Sequence, residues 1–253
     1  MDALLQFQPE THPDQAAGLR RLFAQRGVRV LPVLVPDAHC GARAVWLTKL
    51  AEGFARHGTR TLVIDAARVQ IAAALGLRAR YDLAHALHGD CALDAALLDA
   101  APGLAVLPAA RAFEHALRSR TALARLLGDT LRARREFDLV LPLLPAAYAP
   151  LMGAGAALVP VQPTRSDVAA ALGEIRAAHE LADNLEFRLL FLGIEEAGAF
   201  TLSQRMIASA ALWSTAAVGF GGSALVARDL ARVVRTAQTW DLAQLKLETE
   251  SAT

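Results

Sequence analysis

The chain alternates between short, continuous apolar runs and longer segments in which apolar residues recur every three or four positions. VRVLPVLV (28–35) is broken only by Arg29 and reads as a strand buried on both faces. RTLVID (60–65), LAVLPA (104–109), FDLVLPLL (137–144), ALVPVQP (157–163) and EFRLLFLGI (186–194) repeat the pattern and predict five more strands. Between them the period changes. Leu47, Leu50, Ala51 and Phe54 fall on one helical face, and Gly58 supplies a stop. Residues 81–103 predict two short helices around Gly89, 114–135 a basic helix and 167–183 a further helix. Near the start, Asp14 can N-cap a short helix with Leu19, Leu22 and Phe23 on one face, closed by Gly27. At the far end, 227–248 sets Leu230, Val233, Val234 and Trp240 among charges, as an amphipathic helix or helix pair does. Strands alternating with helices imply crossovers and an α/β fold: three layers, with a mainly parallel sheet covered by helices on both faces. No internal repeat and no linker is visible. The expected organisation is an N-terminal segment, 1–27, followed by a single domain, 28–253.

Composition narrows the class. Of 253 residues, 54% are apolar, enough for a large core, so disorder is excluded. The net charge of +1 gives no global pull toward nucleic acid or membrane. Two cysteines, Cys40 and Cys91, make no disulfide framework, and the first residues lack the basic start and apolar core of a signal peptide, so the expected location is the cytoplasm. The run Met206 to Ala227 carries no charge and is long enough to span a bilayer. It is rich in Ala, Ser, Thr and Gly, however, and broken by Gly-Phe-Gly-Gly at 219–222, so a buried helix plus turn is expected instead.

In a sheet of this kind ligands sit at the carboxyl ends of the strands. The loop after the first strand, LVPDAHCGARAVW (34–46), is where a phosphate would go. A phosphate loop needs glycines so that backbone N–H groups can close on the phosphates, a lysine against their charge and a Ser/Thr hydroxyl for magnesium. This loop has one glycine, Gly41, with no lysine and no Ser/Thr.

The frame 28–66 nevertheless resembles the MinD/ParA group of deviant Walker-A ATPases, whose loop reads K-G-G-x-G-K-T and whose second strand ends in an aspartate near magnesium. Anchored on KLAEGFARHGTRTLVIDA (49–66), the family's first lysine falls on Ala38 and its glycines on His39, Cys40 and Ala42. The second lysine falls on Arg43, the threonine on Ala44 and the strand-end aspartate on Asp65. Farther along, LGLRARYDLAHALHGDCALDAALLDAAPGLAVLPAA (75–110) and LVPVQPTRSDVAAALGEIR (158–176) are similar to family segments. Pro142 stands near the place of the switch aspartate, and Gly193 near that of an adenine-contacting asparagine. The likeness covers about 12–195.

Within that group, DQAAGLRRLF (14–23) resembles the D-Q-A-x-x-L-R segment of the FlhG (FleN) regulators of flagellar number, which engages the FlhF GTPase and supplies a glutamine that stimulates hydrolysis. The resemblance implies partner-binding roles for Asp14, Gln15, Gly18, Leu19 and Arg20. A glutamine at a helix start suits the orienting of a water molecule.

Chemistry at the loop points away from turnover. A Cβ at a glycine position blocks close phosphate approach, and Ala44 cannot ligate magnesium. The remnant nucleotide site is thus Ala38, His39, Cys40, Gly41, Ala42, Arg43, Ala44 and Asp65, with no catalytic residue, no metal and no cofactor expected. Arg43 is expected to pair with Asp65 in an empty or filled-in pocket, because a buried guanidinium needs a partner. In the family the first lysine joins an ATP-bound dimer. With Ala38 in its place no ATP-dependent homodimer is expected.

Weaker signals add little. His85, His88 and Cys91 are spaced three apart but interrupted by Gly89, and no second ligand cluster accompanies them. GAGAAL (153–158) precedes a strand, which excludes a Rossmann loop. Arg118, Arg120, Arg125, Arg132, Arg134 and Arg135 read as a solvated face before they read as a DNA contact. MinD and FlhG proteins often end in a membrane-targeting amphipathic helix. That would place 227–248 peripherally at the inner membrane, whereas packing on the body is the general rule for such helices. The resulting expectation is a non-catalytic, FlhG-like pseudo-ATPase that acts on an FlhF-type GTPase or another flagellar protein. Two alternatives stand beside it: an active but divergent MinD/ParA-type ATPase positioning a cargo, and a scaffold of another machine such as pili or cellulose secretion.

Overall fold

A computed structural model of the chain describes residues 28–36, 40–119, 137–151 and 155–245. Its centre is a ten-stranded sheet. The first apolar run forms two short strands, β1 (Val28–Val30) and β2 (Val33–Leu34), interrupted at Leu31 and Pro32. Both run parallel to β6 (Leu139–Leu144). Pro142 of β6 lies level with that interruption, between the pairs Val30–Val140 and Val33–Leu143. A proline, which has no N–H to donate, therefore sits in a central strand where the ladder is already broken.

The remaining strands are β3 (Thr61–Asp65), β4 (Leu98–Ala101), β5 (Leu104–Pro108), β7 (Gly155–Val161), β8 (Leu185–Leu192), β9 (Ala217–Ala224) and β10 (Ala243–Leu245). Their order is β4-β5-β3-β6-β2-β7-β8-β9, with β10 beside β1. All pairings are parallel except two. β4 and β5 form an antiparallel hairpin, and β10 runs antiparallel to β1. The hairpin turns on Pro102 and Gly103, the latter at φ 75°, as a turn with a left-handed third residue requires.

Helices cover both faces. On one face lie α1 (Cys40–Arg56) and α2 (Ile71–Ala74). The other carries α3 (Leu83–Leu87), α4 (Leu93–Ala96), α5 (Ala110–Ser119), α6 (Arg165–Leu181) and α7 (Glu196–Ala211). The last, α8 (Leu230–Ala237), returns to the face of α1. The apolar stripe predicted for α1 is the buried one: Leu47, Leu50, Ala51 and Phe54 pack with Val63, Val106, Val233 and Val234. Full burial of a side chain such as Phe54 stabilises by roughly 1.5–3 kcal/mol. The helix ends as Gly58 predicted. Gly58 N–H reaches Ala55 O at 3.0 Å and Thr59 N–H reaches Phe54 O at 3.1 Å, a Schellman closure with Gly58 at φ 78°.

Three readings from periodicity are corrected. Residues 98–101 are an edge strand, since pairing with β5 overrides the helical leaning of Leu-Asp-Ala-Ala. The second half of the uncharged run is strand β9, parallel to β8, where a turn was expected. The segment 227–248 holds a short 3₁₀ turn, α8 and then strand β10, in place of one long amphipathic helix or a helix pair. The apolar side of α8, Leu230, Val233, Val234 and Ala237, is buried against the body. Among the described residues no helix is long and apolar enough to cross a membrane. The basic helix expected over 114–135 is described only as far as Ser119; its remaining arginines lie outside the described residues.

Candidate functional site

The parallel strands β6, β2 and β7 end together at the centre of the sheet, and α1 starts just beyond β2. Ala38 and His39 lie outside the described residues, as do Asp14, Gln15, Gly18, Leu19 and Arg20. Cys40, Gly41 and Ala42 form the first turn of α1. Arg43 follows and is 0% exposed.

Arg43 does not meet Asp65. Its Nη2 donates to Oδ1 of Asp167, which is itself buried, while Nε and Nη1 have no partner among the described residues. Asp167 belongs to the first turn of α6, the helix that follows β7. Its Oδ2 accepts the Gln162 N–H at 2.6 Å, and its own N–H donates to Oγ1 of the N-cap Thr164 at 3.2 Å. The carboxylate is therefore fixed by backbone on one side and by Arg43 on the other, at a helix N-terminus that favours negative charge. Sheet order explains the choice of partner. β7 is the neighbour of β2, whereas β3, which carries Asp65, is separated from β2 by β6. With strands about 4.8 Å apart, Asp65 starts roughly 10 Å from the strand that feeds α1. Sequence reasoning missed Asp167. The available signal was Thr164-x-x-Asp167 after an apolar strand, a helix-start pattern that fixes the carboxylate's location.

Asp65 has another task. Its Oδ1 accepts Val69 N–H at 2.8 Å, and its Oδ2 accepts Gln70 N–H at 2.8 Å and Ile71 N–H at 3.1 Å. The loop wraps the carboxylate with two non-glycine residues at positive φ, Arg68 at 55° and Gln70 at 67°. Such backbone costs about 1 kcal/mol or more per residue and persists only where its surroundings hold it. Burial raises the Asp65 pKa above its ordinary value, and the backbone donors oppose that rise. Ala44 is buried in the apolar cluster with Leu47 and Val63, where the resemblance would place a magnesium-ligating hydroxyl. β6 ends in buried Leu143 and Leu144 and carries no carboxylate of its own. Asp138, just before β6, stands at the opposite, amino-terminal end of the parallel strands. It holds Arg60 through Nε at 3.1 Å, Nη2 at 3.0 Å and the backbone N–H at 3.0 Å, and Arg60 lowers its pKa. Gly193, at φ 78°, donates its N–H to Ala224 O at 2.7 Å.

His85, His88 and Cys91 are not brought together. His85 closes a capping box with Asp82, His88 meets the His115 ring edge-on at 6.2 Å and Cys91 is a half-buried free thiol. Among the described residues no three His, Cys, Asp or Glu side chains group as metal ligands.

No known family model and no characterised protein sequence matches the chain. Solved structures do match. The MinD cell division protein of Aquifex aeolicus superposes with a TM-score of 0.55 at 18% identity, over 83% of this chain and 95% of that one. A plasmid partition protein from Borrelia burgdorferi gives 0.56 at 10% identity, over 84% and 98%. Cobyrinic acid a,c-diamide synthase from Mycobacterium smegmatis, with bound ADP and magnesium, gives 0.57 at 19% identity, over 83% and 92%. This chain has the fold of the MinD/ParA-type P-loop ATPases. Within that fold Arg43 lies near the start of the helix after β2, and Asp65 at the end of β3, two places away from β2 in the sheet.

Proposed function

We propose that the chain is a pseudo-ATPase of the MinD/ParA fold, a non-catalytic regulator that acts by protein–protein contact. One observation carries the reading. The basic residue at the phosphate-loop position is fully buried and paired with the protein's own carboxylate, Asp167. Two further features support it: both Asp65 oxygens are engaged by backbone N–H groups, and Ala44 is packed in the core. An active ATPase would have to free Arg43 and Asp65 at once and still lack a hydroxyl for magnesium.

The kind of regulator rests on the sequence 14–23. Its likeness to FlhG supports an N-terminal segment that engages an FlhF-type GTPase, with Gln15 oriented toward the partner's water, in control of flagellar number or placement. Two experiments separate the layers. Calorimetric titration with ATP and magnesium is expected to give no heat, and micromolar binding would overturn the pseudo-ATPase. A pull-down against an FlhF-type GTPase, with and without residues 1–27, is expected to capture it only with the segment present. No capture by the intact chain would remove the flagellar assignment and leave a scaffold of another machine.

A further inference from the structure

We draw no further inference here: the strongest candidate, the cavity of about 530 Å³ between Arg60, Phe137 and the β4–β5 hairpin at the amino-terminal end of the parallel strands, carries nothing, because Asp138 already holds the Arg60 guanidinium and no unpartnered buried polar side chain among the described residues lines it to point to a ligand.

Discussion

Replacing Asp167 by alanine isolates the pair that closes the candidate site. In the variant, the Arg43 guanidinium stays in a place with no solvent access and loses the one hydrogen bond it makes among the described residues. It also faces the positive end of its own helix, α1, which disfavours a cation. Breaking a buried ion pair from one side costs about 3–5 kcal/mol. For a chain of this size that lowers the melting temperature by roughly 6–20 °C. The reciprocal change is milder. In Arg43→Met the apolar stem is kept, and Asp167 retains the Gln162 N–H and the N-terminal turn of a 17-residue helix. The expected cost is below about 2 kcal/mol. The double variant is expected to be more stable than the sum of the singles predicts, by about 1.5 kcal/mol or more. Urea denaturation followed by circular dichroism, with equal slopes across the four proteins, measures all three terms. An Asp167→Ala cost under about 1 kcal/mol, or additivity within about 0.5 kcal/mol, would refute the account.

Other consequences are simpler. Asp65→Ala orphans three backbone N–H groups and is expected to cost about 2–4 kcal/mol, with faster hydrogen exchange at 69–71 as the readout. Arg60 depresses the Asp138 carboxyl below its ordinary 3.8, so the pair stabilises above that value and fades as pH falls through the lower folded value. The stability gap between the native chain and Asp138→Asn should therefore close in strong acid and stay constant above about pH 5. Gly53 lies where α8 crosses α1, and a Cβ there would meet Val234 at 3.0 Å. Gly53→Val is expected to destabilise by about 1–3 kcal/mol, seen as a lower melting temperature.

Most of the sheet was legible because its strands are buried on both faces and carry continuous apolar runs; β3, β5, β6, β7 and β8 lie where those runs fall. The strands that escaped have other reasons to exist. β9 is Ala-Val-Gly-Phe-Gly-Gly-Ser-Ala, poor in strand formers and held by its register against β8. β10 has three residues and forms because β1 offers it an edge. At the site, the burial of Arg43 and its need for a carboxylate were readable from the chain, and the identity of the carboxylate was not. Choosing Asp167 over Asp65 requires knowing that β7, and not β3, lies beside β2, and strand order is not written in local periodicity.

The first and last strands described are neighbours. β10 lies antiparallel on β1, with Val28 opposite Leu245, and Asp241 O accepts the Ala156 N–H at the start of β7. A ribosome releases this pair in the least convenient order. β1 is made before β10 and waits, one edge unfilled, until β10 follows. The seam at the middle of the sheet is then among the last to close. A nascent or prematurely stopped chain would present an open slot at its centre and not a frayed rim. Proteases and chaperones that survey new proteins could therefore tell chains that have closed this seam from chains that have not by that single short strand.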